Sequence, residues 1–176
     1  RVSGFETSAK RIAYARNHGI EVVDTYTDIQ KSSYDYINWE QVFEHLSQPV
    51  DTLYYLAECL APGGLIKISV PDGTGMKKHL ENPCWLPAKD ALCPLEHINC
   101  FTPDALRYLA SLAELSEARV NPAKADHRGT CLYFQKAQDR NYMPASRYFS
   151  LSSTFMETSV IVRSSGERTT RACKHL

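Results

Sequence analysis

Apolar residues along this chain follow two alternating rhythms, short continuous runs and stretches with helical spacing. Arg1 to Phe5 reads as a strand that ends at Glu6, and Thr7 or Ser8 can cap the helix behind it, with Ile12, Ala13, Ala15 and Arg16 at helical spacing. Gly19 stops that helix, and Ile20 to Val23 forms a second, β-branched strand. Tyr34 to Trp39 is a third run. Pro49 suits the first turn of the next helix, whose apolar face is Leu53, Leu56, Ala57 and Leu60. The break Pro62-Gly63-Gly64 precedes a fourth run, Leu65 to Val70, closed by Pro71-Asp72. An aperiodic stretch then reaches Phe101, long for a connection inside a compact domain. Thr102-Pro103-Asp104 restarts regular structure as cap, first-turn proline and first-turn acid, with Leu106, Leu109 and Ala110 as the apolar face. Runs near 117–120 and 130–136 read as a closing antiparallel hairpin with a polar turn containing Gly129.

Strand, helix, turn and strand in this order predict an α/β fold with a parallel sheet, whose ligands sit at the carboxyl ends of the strands. Residues 1–137 are expected to make up the domain. Residues 138–176, rich in Ser and Thr with one apolar run from Val160 to Val162, read as a weakly packed tail or the start of a further segment.

Composition changes this picture little. Of 176 residues, 43% are hydrophobic and 23% charged, and 20 basic residues balance 20 acidic ones. That balance does not advertise a nucleic acid or an anionic membrane as partner. No apolar stretch approaches the roughly 20 residues a membrane helix needs. The chain opens on Arg1 with neither an initiator Met nor a signal peptide, which reads as a piece of something longer in a cytoplasmic setting. Six cysteines form no CxxC pair, so free thiols in a reducing compartment are expected. Cys84, Cys93, His97 and Cys100 lack the paired spacing of a structural zinc site, so no metal is expected there.

Asp35 at a strand start, Glu44-His45-Leu46 after that strand, and Leu60-x-Pro62-Gly63-Gly64 before an apolar strand closely resemble class I S-adenosylmethionine-dependent methyltransferases. The resemblance covers about residues 2 to 137. It implies a Rossmann-like three-layer sandwich with a mostly parallel sheet, a C-terminal antiparallel hairpin and S-adenosylmethionine as cofactor. Glu6 then matches the acid that grips the cofactor ribose; on pattern alone a solvated surface Glu is the alternative. Thr7 adjoins it, and Thr25 falls in the region that often contacts adenine. Asn38, Trp39 and Glu40 sit at the strand end beside the methionine and sulfonium. Trp39 offers a flat cation–π surface or, equally, a core aromatic. Glu44 and His45 are read as marking a helix start. His97, in Glu96-His97-Ile98-Asn99-Cys100-Phe101-Thr102-Pro103, matches the segment before the next helix. It is the candidate general base, or else a histidine that holds the loop.

The chain contains no GxGxG. Matching it to the family places its first strand at the family's second, so the central strand and its glycine-rich loop are expected to be missing. A gap or a makeshift pairing should lie between the strands at 2–5 and 34–39, and cofactor binding should be poor. The expected function is methyl transfer to a small-molecule, lipid or glycan acceptor. A non-catalytic module with the same fold remains the alternative. An NAD-binding Rossmann enzyme is the third reading, since Glu6 alone does not choose the cofactor.

Overall fold

The computed structural model describes residues 2–86, 91–93, 95–120, 129–136 and, as backbone, 159–162. The first four apolar runs become strands β1 (Val2–Phe5), β2 (Glu21–Val23), β3 (Tyr34–Glu40) and β4 (Leu60–Val70). β1 pairs parallel with β2, and β3 pairs parallel with β4. β5 (Leu115–Glu117) and β6 (Thr130–Lys136) pair antiparallel, and β6 lies antiparallel on β4.

Strand β7 (Ser159–Val162) lies between β1 and β3, antiparallel to both, and completes one sheet of order β2-β1-β7-β3-β4-β6-β5. The expected gap is therefore filled by a makeshift pairing, and the filler comes from the C-terminal segment. Val160 is level with Gly4 on one side and with Asn38 on the other. Because β7 runs against both neighbours, β1 and β3 point the same way. The carboxyl ends of β1 to β4 consequently share one sheet edge, where such sheets bind ligands.

The core lies on one face of this sheet. Leu53, Leu56 and Ala57 of α2 (Pro49–Cys59) and Leu106, Leu109 and Ala110 of α4 (Pro103–Leu112) pack with Ile37, Trp39, Ile66, Ile68, Val70 and Phe134. Each fully buried aliphatic side chain contributes about 1.5–3 kcal/mol. Thr102 caps α4 as expected, its Oγ1 accepting from the Ala105 amide at 3.2 Å. Ile12 of α1 (Ala9–Asn17) and Val22 are buried outside that cluster, whereas Val23 packs against it, which puts α1 on the opposite face.

Four details depart from the sequence reading. β4 begins at Leu60 and runs through Pro62-Gly63-Gly64, because a register shift opposite Tyr34 to Tyr36 and a φ of 78° at Gly63 absorb the extra residues as a bulge. The strand expected at 117–120 lies at Leu115–Glu117. Glu44 and His45 do not begin a helix; they sit in a 3₁₀ turn, Phe43–His45, and α2 starts at Pro49, since the residue before a proline resists helical geometry. Ser8 makes no side-chain cap on α1, a task taken by Glu6. The polar turn at 121–128 and the expected tail, apart from Ser159–Val162, lie outside the described residues.

The β7 pairing has a direct test. Ile161 is flanked on both sides, by Ser3 and Ile37, so a proline there removes an amide from an interior strand. Ile161→Pro should cost about 3 kcal/mol or more in urea unfolding followed by circular dichroism. An unchanged midpoint would place Ser159–Val162 outside the sheet.

Candidate functional site

Glu6 leaves β1 at the shared sheet edge. Its Oε1 accepts from the Thr7 and Ser8 amides, each at 2.9 Å, and its Oε2 lies 3.4 Å from an Arg11 guanidinium nitrogen. The carboxylate thus satisfies amides that open α1, where the helix dipole also favours negative charge. Thr7 and Thr25 are exposed at the ends of β1 and β2.

Asn38 and Glu40 alternate with Trp39, so they face away from the core. Glu40 Oε2 accepts from Lys67 Nζ at 2.9 Å and lies 3.5 Å from Asn38 Nδ2. Asn38 Oδ1 is buried without a hydrogen-bond partner. Trp39 is 1% exposed, its ring stacked 5.5 Å from Phe5 and set edge-on to Phe43 at 6.2 Å. That is the core arrangement of an aromatic. Its Nε1 has no partner.

The segment from Pro71 to Phe101 starts at the carboxyl end of β4 and contains a short helix, α3 (Met76–Leu80). Its two ends are fastened together, Gly73 donating its amide to the Phe101 carbonyl at 2.8 Å. Its last turn is fastened to the 3₁₀ turn after β3. Ile98 and Asn99 donate their amides to the Glu44 carbonyl at 2.9 and 3.0 Å. The Asn99 side chain donates to the Leu46 carbonyl at 2.6 Å and the Phe43 carbonyl at 3.3 Å.

This clamp brings two Glu-His dipeptides face to face. His45 Nδ1 lies 2.6 Å from the Glu96 carbonyl oxygen, and the His45 and His97 rings meet edge-on at 5.0 Å. Glu44 is 2% exposed with neither carboxylate oxygen hydrogen-bonded, and His97 Nδ1 is likewise buried and unpartnered. Burial holds the Glu44 carboxyl above the usual carboxylate range, an effect that its own backbone amide, His45 and His97 offset only in part. Among the described residues, Glu44, His45 and His97 are the group whose donor atoms lie close enough to hold a metal ion, within 4.8 Å of one another. The cysteines weighed beside His97 in the sequence are not in this group.

A family profile described as a methyltransferase domain matches residues 1–116. The chain belongs to the methyltransferase-domain family. No curated protein matches it. The fold agrees with S-adenosylmethionine-dependent methyltransferases among solved structures. One from Mesorhizobium loti is 14% identical, with a TM-score of 0.53 over 74% of this chain and 76% of the other. Magnesium protoporphyrin IX methyltransferase from Synechocystis PCC 6803, solved with S-adenosylhomocysteine bound, is 14% identical, with a TM-score of 0.52 over 77% of this chain and 64% of that one. A candidate sarcosine dimethylglycine methyltransferase from Galdieria sulphuraria is 18% identical, with a TM-score of 0.47 over 65% of this chain. This chain spans 45% of that protein's length.

Of the sequence candidates, Glu6, Thr7, Thr25, Asn38, Glu40 and His97 all fall on elements at or beyond the carboxyl edge. Glu44 is the residue the sequence reading passed over as a helix start. Its signal was present: Glu44-His45 and Glu96-His97 are two Glu-His pairs, each in a segment that follows a strand's carboxyl end.

The fastening of the loop can be tested at Gly73, where a Cβ would stand 2.7 Å from both Cys100 Sγ and the Phe101 carbonyl oxygen. Gly73→Ala should therefore push the end of the loop outward and cost about 1–3 kcal/mol in thermal unfolding. Faster hydrogen exchange at the Ile98 and Asn99 amides should accompany it. Unaltered exchange there would show that the two anchors are independent.

Proposed function

We propose that this protein transfers a methyl group from S-adenosylmethionine to a small-molecule, lipid or glycan acceptor in the cytoplasm. The observation that carries this reading is the family match over residues 1–116, together with a carboxylate at the end of β1 on the same sheet edge as the Glu44–His97 cluster. In this reading Glu6 accepts from the ribose hydroxyls with Oε2, for which Arg11 at 3.4 Å is a weak competitor, while Oε1 stays on the amides that open α1. Thr7 and Thr25 flank the nucleoside, and Asn38 and Glu40 line the strand end near the sulfonium. Trp39 supports them from the core side.

The sulfonium makes the methyl group electrophilic, so the protein's task is alignment and exclusion of water. The segment from Pro71 to Phe101 covers the acceptor, and His97 acts on the acceptor side by relieving the nucleophile of its proton. Free thiols at Cys59, Cys84 and Cys131 fit a reducing compartment. Among the described residues, no helix is long and apolar enough to cross a membrane.

A second reading, a binding module that kept the fold without cofactor use, draws on one specific observation. β7 occupies the place between β1 and β3 where the family's central strand and glycine-rich loop are expected, and the chain has no GxGxG.

Calorimetry with S-adenosylmethionine separates the two. Measurable binding that Glu6→Ala weakens by about 1–3 kcal/mol is the result expected of a lost charge-assisted hydrogen bond. Absence of binding favours the module, and tight NAD binding instead favours a Rossmann oxidoreductase. Where turnover is measured, His97→Ala should lower kcat by about 10²-fold or more with cofactor affinity unchanged. Normal turnover per folded molecule would confine His97 to holding the loop.

A further inference from the structure

The Glu44 carboxylate poses a question that the protein around it does not answer. A buried carboxylate without a hydrogen bond is costly, and folded proteins avoid one unless a proton or a cation compensates it. Neither oxygen has a hydrogen-bond partner. The nearest titratable neighbour is His45, and its tautomer can be deduced. A carbonyl oxygen only accepts, so the 2.6 Å contact with Glu96 places a hydrogen on His45 Nδ1. In neutral His45 the lone pair is then on Nε2, 3.9 Å from Glu44 Oε1. His97 adds a further unpartnered buried nitrogen, Nδ1. Three groups that can each offer an electron pair therefore converge with no hydrogen bond between them. A proton on Glu44 does not resolve this, because 3.9 Å is beyond hydrogen-bond length and His97 Nδ1 would remain unpartnered.

We propose that Glu44, His45 and His97 bind a divalent cation of the zinc or cobalt type. Two imidazoles and a carboxylate form a donor set for such ions, and three protein ligands leave a coordination position open. Metal–ligand bonds of about 2.0–2.1 Å put tetrahedral donors about 3.4 Å apart. The present separations, 3.9 Å for the Glu44–His45 pair and none above 4.8 Å, close to that value by small side-chain rotations. The surroundings are those of a prepared site. The Glu96 carbonyl fixes the His45 ring and tautomer, as outer partners do for ligating histidines. The Ile98 and Asn99 amides and the Asn99 side chain lock the His97 segment onto Phe43–Leu46.

Ion binding stands apart from the methyl-transfer reading; the chemistry that follows rests on it. It favours a hydroxyl acceptor over an amine. An amine that coordinates the ion ties up its only lone pair, whereas a hydroxyl oxygen keeps one free. The bound ion lowers the hydroxyl pKa, and the proton leaves to water. The oxygen lone pair then forms the bond to the methyl carbon, and the carbon–sulfur bonding pair returns to sulfur, giving the methyl ether and S-adenosylhomocysteine. His97 accordingly promotes loss of the acceptor's proton as a ligand of the ion, which refines the direct proton transfer proposed for it above.

The test uses the whole chain after chelator treatment and dialysis, titrated with Zn2+ and, separately, Co2+. One ion per chain is expected, with a Co2+ spectrum that lacks the thiolate charge-transfer band of cysteine ligation. Zn2+ should raise the Tm of the wild type. Glu44→Gln and His97→Ala should each bind at least about 10-fold more weakly and lose the Tm rise, while His79→Ala, outside the cluster, behaves as wild type. Glu44→Gln preserves shape, and circular dichroism establishes its folding. No stoichiometric ion in the wild type, equal affinity in both cluster variants, or a thiolate spectrum would each overturn the site. S-adenosylmethionine binding is measured on the same samples. Cofactor binding without an ion would sink this site and leave methyl transfer standing; an ion without cofactor binding would do the reverse.

Discussion

The pairing of Ser159–Val162 with both Val2–Phe5 and Tyr34–Glu40 is the constraint on which the remaining geometry depends. Strands in a sheet lie about 4.7–4.9 Å apart, so β1 and β3 are held about 9–10 Å from each other by the strand between them. Their side chains still meet. Phe5 and Trp39 stack at 5.5 Å with their planes 17° apart, reaching over β7 from either side. The backbone ladder and the aromatic bridge thus fix the same spacing by independent means. If β7 were lost, the β1 and β3 edges would expose unpaired amides and carbonyls, and Glu6 would lose its fixed position relative to the rest of the edge.

A second fastening holds the loop that follows β4. The sheet supplies Glu44 just beyond β3, but the residues that give it company come from a segment about fifty positions later. That segment is closed by Gly73 and Phe101 at its base and anchored through Ile98 and Asn99 in its last turn. All five hydrogen bonds use backbone groups or the Asn99 side-chain amide, which defines the geometry of a stretch without regular periodicity. The result is a polar cluster in which Glu44 is buried, His97 half-buried and His45 exposed. Its unmet donors and acceptors are concentrated in Glu44 and His97, while Asn99 and Glu96 are spent on positioning.

How much of this was legible in the sequence depends on whether the signal was local. β1 to β4, α2, α4 and the Thr102 cap are written in apolar spacing and turn chemistry within a few residues of where they occur. The Glu-His-Leu and Pro-Gly-Gly wording pointed to the methyltransferase family for the same reason. What local reading missed was long-range. β7 was visible as the apolar run Val160 to Val162, but nothing local assigns that run to the slot between β1 and β3. Leu60 belongs to a strand because a bulge opposite Tyr34 lets the backbone carry the glycines through. Glu44 was passed over because its role comes from Glu96 and His97, which are remote in sequence and close only after the loop is anchored.

Glu6 shows how a structural use of one side chain can leave room for the chemical use proposed for it. Its two oxygens are unequally committed. Oε1 accepts two amides at 2.9 Å, while Oε2 has only a 3.4 Å contact with an Arg11 side chain that is mostly in solvent. An exposed ion pair of that kind contributes at most about 1 kcal/mol, so a ribose hydroxyl can displace Arg11 at little cost. The amides at α1 meanwhile hold the carboxylate in one rotamer, and an acceptor already fixed in place loses less entropy when a ligand arrives. The capping role and the proposed cofactor role are therefore compatible, because each draws on a different oxygen of the same carboxylate.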